Sequence, residues 1–255
     1  MRVAVLADVH ANAPALRAVL DELDSDPVDA IVAAGDLVSG PLNAEVLDLL
    51  SSRSEPVHWV RGNGESDALE ADPGRTDASS TQDSAIWTAA SLDERWRDEL
   101  RSWPISLCLD DVRFCHGTPR DEHEIITRAT PDEILAEALS EVTESLVVGG
   151  HTHQQMVRRV DDRITYVNAG SVGFPYEDAP GAYWLIVADG HPELRRTSYD
   201  VEAALREMRT AGFTGLDELV DGSLVNPADP AWVTAFFEHT AGRGEDPGEQ
   251  RPRPV

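Results

Sequence analysis

Met1-Arg-Val-Ala-Val-Leu-Ala-Asp8-Val-His10-Ala-Asn12 is the stretch that decides the fold. Residues 3–7 are an apolar run rich in β-branched side chains, and it stops abruptly at Asp8, His10 and Asn12. A short apolar run without polar alternation reads as a strand buried on both faces, the state of a central strand in an α/β sheet. On an extended chain Asp8 and His10, two residues apart, point the same way. They leave the carboxyl end of the strand, where such sheets place their ligands. Taken alone, the stretch leaves a plainer reading open: Asp8 and Asn12 start a turn and His10 is incidental.

The same grammar repeats outward from it. Leu16, Val19, Leu20 and Leu23 fall at helical spacing behind Pro14, a plausible first helical residue, and Asp26-Pro27 ends that helix. Residues 30–34 form a second buried strand, closed by Gly35-Asp36; a helix around Val46–Leu50 follows; residues 57–60 are a third strand, closed by Gly62-Asn63-Gly64-Glu65. Strand, helix, strand, helix, strand predicts parallel strands joined by right-handed crossovers. Residues 66–82 are polar and read as a mobile loop, followed by helices over 82–90 and 92–102 in which Trp87, Trp96 and Trp103 pack.

From Pro104 the pattern becomes strand-rich. A hairpin over 105–109 and 112–115 ends in His116-Gly-Thr-Pro119, and a helix over 131–139 has Thr130 as its expected N-cap. A strand over 145–148 ends in Gly149-Gly150-His151-Thr-His153. Hairpins over 156–160 with 164–167, and over 182–188 with 193–199, flank Asn168-Ala-Gly170-Ser-Val-Gly173. Two mixed sheets with helices outside give an α/β fold, a four-layer αββα sandwich. The expected organisation is a domain over residues 1–209, a helical C-terminal extension over 210–240, and a disordered tail over 241–255 that is rich in Gly, Pro and charge.

Composition narrows the function. The 255 residues carry 47 acidic and 21 basic side chains, a net charge of −26. That argues against an extended nucleic-acid surface or binding to anionic lipid, both of which need Lys and Arg. No apolar stretch approaches the ~20 residues of a membrane span, and the N-terminal run lacks the features of a signal peptide; a cytoplasmic protein is expected. Cys108 and Cys115 are too few for a disulfide framework and read as buried free thiols.

The chemistry lies in five clusters at strand ends: Asp8-x-His10, Gly35-Asp36, Gly62-Asn63, His116-Gly117 and Gly150-His151-x-His153. Two Asp, one Asn and four His aimed at one place suit divalent ions such as Mn, Fe, Ni or Zn. Seven ligands exceed what one such ion takes, whereas with Asp36 shared they divide between two. Arg61 and Arg120 stand near these strand ends. Each could hold a phosphate oxygen through its guanidinium fork or pair with one of the many carboxylates. Asn12 reads best as the cap of the first helix.

The order D-x-H, GD, GN, H, GHxH resembles that of the calcineurin-like metallophosphoesterases. Asp8-Val-His-Ala-Asn12, His116-Gly-Thr-Pro119, Gly150-His-Thr-His153 and Asn168-Ala-Gly-Ser-Val-Gly173 are similar to its small bacterial and archaeal phosphodiesterase branch, over about residues 1–200. The resemblance implies one metal held by Asp8, His10, Asp36 and His153, a second held by Asp36, Asn63, His116 and His151, and hydrolysis of small or nucleotide-like phosphate esters by a hydroxide between the metals. Mn is the expected metal. It also admits a phosphomonoesterase, a dinucleoside polyphosphate hydrolase, or a non-catalytic protein-binding scaffold on the same fold. Much of the family has a His after the Asn, where this chain has Gly64, which leaves the leaving-group acid unassigned. His123 could fill that role from a loop, or be a surface histidine. Substrates with acidic leaving groups are favoured if no strong acid is present. Residues 64–82 and 118–130 are expected to shape the substrate.

Overall fold

Three short parallel strands form one side of the first sheet, from its middle to one edge: β1 (Arg2–Leu6), β2 (Ala30–Ala34) and β3 (Val57–Val60). They are connected by α1 (Ala13–Ser25) and α2 (Asn43–Ser51). The computed structural model describes residues 1–72 and 80–249. β9 (Ala182–Ala188) pairs antiparallel with β1, and β10 (His191–Thr197) closes that edge, giving the order β10-β9-β1-β2-β3. The second sheet is built from β4 (Ser106–Leu109), β5 (Val112–Cys115), β6 (Leu146–Gly149), β7 (Met156–Val160) and β8 (Ile164–Asn168), in the order β4-β5-β6-β8-β7. In it β5, β6 and β8 run parallel, with an antiparallel strand on each side.

Period-two alternation assigns each side chain to a layer. Val3, Val5 and Ala7 point between the sheets, where they meet Val32, Ala34, Phe114, Val148 and Val167. Ala4 and Leu6 point the other way, into a core shared with Leu16, Leu20, Val46 and Leu47 of α1 and α2. On the far side of the second sheet, Val147, Tyr166 and Cys115 pack against Leu135 and Leu139 at α6 (Asp132–Ala138). The layers are thus helix, sheet, sheet, helix. A strand buried on both faces has no polar side to show, which is why β1 and β2 read as unbroken apolar runs.

α3 (Asn63–Glu70) occupies the start of the expected loop at 66–82; the part of that loop at residues 73–79 lies outside the described residues. α4 (Ser80–Ser91) and α5 (Glu94–Ser102) follow. Trp103 stacks on Trp59, with ring centroids 4.8 Å apart, and Trp96 joins the same core. Asn12 caps α1, its Oδ1 accepting the Ala15 amide at 3.1 Å. Thr130 does not cap α6: the N-cap is Pro131 without a side-chain bond, and the Thr130 hydroxyl instead accepts the Thr127 amide at 2.9 Å and donates to Glu238. Cys115 is buried, but Cys108 is exposed. The reason is that β4 is an edge strand whose Leu107 and Leu109 turn to the core, leaving the residue between them outside.

The chain after the second sheet forms α7 (Val201–Thr210), α8 (Leu216–Val220) and α9 (Pro230–Thr240). Met208, Phe213, Leu216 and Val220 make a separate core around Phe174. Residues just past α9 stay attached to it. Arg243 pairs with Glu238 at 2.8 Å and donates to the Ile125 carbonyl at 2.8 Å, and Trp232 Nε1 donates to the Gly248 carbonyl. Residues 250–255 of the expected tail lie outside the described residues. No helix among the described residues is long and apolar enough to cross a membrane.

Candidate metal centre

The carboxyl ends of β1, β2, β5 and β6 and the first turn of α3 converge at one edge of the sandwich. Six of the predicted ligands fall there into two groups, Asp8 with His10 and His153, and Asp36 with His116 and His151. In the first, His153 Nε2 lies 3.2 Å from Asp8 Oδ1 and 3.1 Å from His10 Nε2. Asp36 faces both groups: its Oδ2 is 3.6 Å from His10 Nε2 and its Oδ1 is 3.4 Å from His116 Nε2. A carboxylate in that position can serve two cations at once. Asn63 opens α3 beside them, with Oδ1 buried and unpartnered.

Local backbone shape aims these side chains. β1 ends at Leu6, so Asp8 and His10 do not project from an extended strand as expected from their spacing. Both have φ near +50°, as do Asp36 and His153, and His151 has φ 72°. Five candidate ligands are therefore left-handed, a conformation that Asp, Asn and His tolerate better than most residues but that still carries strain. The surroundings hold it: the Asp8 amide donates to the Gly35 carbonyl at 3.0 Å, the His10 amide to the Asp36 carbonyl at 2.8 Å, and the His151 amide to Asp8 Oδ2 at 2.9 Å.

Two rings are fixed by carbonyl oxygens. His116 Nδ1 bonds the Ala34 carbonyl at 3.0 Å and His153 Nδ1 the Phe174 carbonyl at 2.7 Å, which directs each Nε2 at the centre. This is the usual way a protein sets the tautomer of a metal-ligating imidazole. His116 Nε2 is buried without a hydrogen-bond partner. Such an orphan is costly unless something else uses its lone pair, and the donor set here, imidazole nitrogens with buried carboxylates, fits a divalent cation. The electrostatics agree. Burial disfavours the charged ring of His116, yet Asp36 and Asp8 outweigh it and raise its pKa to about 10. Burial also opposes ionisation of Asp36 and Asp8, but the facing imidazoles hold both carboxyls below their ordinary value. Burial dominates at His10 and His151, lowering each to about 4 and keeping these rings neutral.

The remaining predicted residues sit at the rim. Arg61 Nε lies 3.9 Å from Glu122. Arg120 is bound to Glu124 at 2.6 Å and approaches Glu137 at 3.4 Å, so its fork is already occupied by carboxylates. The His123 side chain is 55% exposed and faces Asp67 at 3.7 Å and Asp121 at 3.6 Å.

Three features escaped the sequence reading. Glu65 is fully buried and its carboxylate accepts four amides: Gly62 at 2.8 Å, Asp36 at 2.9 Å, Leu37 at 2.8 Å and Val38 at 3.2 Å. Its position three residues after Gly62 is the spacing of a capping box, a signal that was available. Gly64 has a role of its own. Its amide donates to Asp36 Oδ1 at 2.6 Å, and a Cβ there would lie 2.6 Å from Ser39 Oγ and 3.0 Å from Asp36 Oδ1. The third is the contact of α9, a helix within the expected extension, which reaches the site through Gln154. The Gln154 side-chain amide donates to the Tyr176 and Pro230 carbonyls and its oxygen accepts from Thr234. No motif announces that contact.

The profile of the calcineurin-like phosphoesterase superfamily domain matches residues 1–203, and the chain belongs to that superfamily. The phosphodiesterase MJ0936 of Methanocaldococcus jannaschii is 21% identical over 170 residues, which is 67% of this chain and 83% of the relative. Among solved structures, a metallophosphoesterase from Sphaerobacter thermophilus superimposes with TM-score 0.70 and 27% identity, covering 87% of this chain and 98% of the other. The hypothetical protein PH1004 of Pyrococcus horikoshii gives 0.75 at 20% identity, with coverage of 88% and 99%, and shares the fold.

Proposed function

We propose that the chain is a phosphodiesterase that hydrolyses small or nucleotide-like phosphate esters at a pair of divalent cations, with manganese the expected metal. Asp8, His10, Asp36 and His153 hold one ion, and Asp36, Asn63, His116 and His151 the other. The single observation that carries this reading is the Asp36 carboxylate, with one oxygen turned to the His10 group and the other to the His116 group. Once bound there, such cations would supply an activated water and neutralise charge on the phosphoryl oxygens. The protein's own part is to hold seven donors rigidly and to exclude bulk water, which strengthens each electrostatic contact. Glu65 and the Ala34 and Phe174 carbonyls do the holding. No imidazole stands at position 64, and the His123 side chain is exposed. Esters whose leaving group needs little protonation should therefore react best.

The test is hydrolysis of bis(p-nitrophenyl) phosphate by metal-free protein titrated with Mn²⁺, Ni²⁺, Fe²⁺ and Zn²⁺, together with metal analysis. Turnover with about two ions per chain supports the reading. Folded protein that binds two ions without turning over any phosphate ester would favour a scaffold, and one ion per chain would point to a mononuclear hydrolase.

A further inference from the structure

The part of the chain beyond the matched domain extends a row of aromatic rings that begins at the centre. It starts at His10 and His153, whose ring centroids are 4.9 Å apart. Tyr176 stacks on His153 at 5.2 Å with 17° between the planes. Phe237 of α9 follows at 6.2 Å, Phe236 at 5.9 Å from Phe237, and Trp232 stacks on Phe236 at 5.4 Å and 16°. Exposure grows as far as Phe236: the His10 and His153 side chains are 13% and 10% exposed, Tyr176 and Phe237 are half-buried, and Phe236 is 43% exposed, with half-buried Trp232 beyond it. The rings therefore lead from the buried ligands out to solvent, instead of closing into a core.

The row is also rigidly tied to the ligand strand. The Tyr176 amide donates to the His153 carbonyl at 3.1 Å, and Gln154 joins the Tyr176 carbonyl to the first turn of α9. Glu238, two turns further along, is buried and accepts the Thr127 and Thr130 hydroxyls at 2.6 and 2.7 Å. α9 thus fixes Tyr176 on one side and the 118–130 loop on the other.

We propose that Tyr176, backed by Phe237 and Phe236, seats the nucleobase of a nucleotide-like phosphate ester beside the phosphoryl site. The proposal rests on the phosphoesterase reading of the centre and names the substrate class for it. Of the two rim arginines, Arg120 is taken by Glu124 and Glu137 and Arg61 faces Glu122, while the chain as a whole carries −26, so little positive charge is left for the organic part of the ester. Stacking needs no charge and is tolerant of which base is bound, each stacked base contributing about 1–3 kcal/mol. α9 lies outside residues 1–203, so the two phenylalanines that back Tyr176 come from beyond the matched domain.

Two esters with the same leaving group test it: thymidine 5′-(p-nitrophenyl phosphate) and methyl p-nitrophenyl phosphate, assayed with Mn²⁺-loaded protein. The wild-type chain is expected to prefer the thymidine ester in kcat/KM. Tyr176→Leu should cut that preference roughly tenfold, mainly through KM, while Tyr176→Phe keeps it. Phe237→Leu should lower it by less, and it carries the test if Tyr176→Leu does not fold. Calorimetric binding of AMP and of inorganic phosphate is the second readout, with Tyr176→Leu weakening AMP about tenfold more than phosphate. Turnover of both esters without a thymidine preference, or variants that slow both esters equally, overturns the seat and leaves the phosphodiesterase reading standing. Failure of the wild-type protein to hydrolyse either ester sinks the phosphodiesterase reading instead, and AMP binding then decides the seat alone: equal affinity in wild type and Tyr176→Leu removes it.

Discussion

Glu65 holds Asp36 by its backbone: the buried carboxylate accepts the Asp36 amide at 2.9 Å and, with its other oxygen, the Leu37 amide at 2.8 Å. Asp36 is left-handed at φ 50°, and the residues around it form a turn with no secondary structure of their own. The Glu65 side chain supplies the acceptors that a strand or helix would otherwise provide, and so fixes the direction of the carboxylate that faces both ligand groups.

Glu65→Gln keeps the size of the side chain but turns one acceptor oxygen into a donor that faces amide N–H groups. A buried donor without an acceptor costs about 1–3 kcal/mol. The variant is expected to unfold at lower urea by roughly that amount and to bind Mn²⁺ more weakly, read by urea denaturation and by metal titration. An unchanged midpoint would show that Glu65 contributes nothing to the turn.

Metal binding should stabilise the fold strongly, because the centre places two buried carboxylates among four imidazoles. At a free metal concentration of about 1,000 times Kd, linkage adds roughly 4 kcal/mol, or on the order of 10 °C for a domain of this size. Differential scanning fluorimetry with Mn²⁺ and with a chelator measures it. Asp36→Asn should lose most of the shift; a variant that retained it in full would place the cations elsewhere.

Gly35 has φ +85°, and a Cβ there would lie 2.5 Å from His116 Nδ1, the atom that bonds the Ala34 carbonyl. Gly35→Ala therefore pushes His116 off its anchor and strains the backbone at the same time. The expected outcome is a loss of about 2 kcal/mol or more of stability together with reduced metal content per chain. Chemical denaturation and elemental analysis check the two halves separately.

Acid should weaken the second sheet at Glu144. Burial pushes this carboxyl up, but its bonds to the nearby backbone, the Cys108 thiol and Arg113 pull harder and bring its pKa to about 2. A folded pKa below the unfolded one means that the ionised group stabilises the fold above the unfolded value, near 4.5, and that this part is lost as pH falls toward 2. The gap in melting temperature between wild type and Glu144→Gln should be constant from pH 7 to about 5 and shrink between about 4.5 and 2.5. A gap independent of pH would refute the assignment.

α9 should control the 118–130 loop. Glu238→Ala leaves Arg243 without its carboxylate and the Thr127 and Thr130 hydroxyls without their acceptor. Breaking a part-buried pair of this kind costs about 3 kcal/mol. Hydrogen exchange over 118–130 is expected to rise while exchange in β1 and β2 stays unchanged; protection of the loop as in the wild type would disprove the coupling.

Much of the architecture was legible in the chain itself. A strand buried on both faces must be apolar throughout, so β1 and β2 announced themselves, and the polar residues that end the first three strands marked one edge of the sheet. The family pattern drew on the same interruptions. What the sequence could not hold is anything that depends on approach between distant segments. Asp8 and His10 meet His153 because two sheets pack face to face, not because of their own spacing, which the left-handed backbone after Leu6 overrides. Glu65 looked like one carboxylate among 47 until burial gave it four amides to bind. α9 met the centre through Gln154 and Tyr176, two residues in no motif. Apolar periodicity is a local property and survives in one dimension; hydrogen bonds and ring contacts between residues tens of positions apart exist only once the layers have closed.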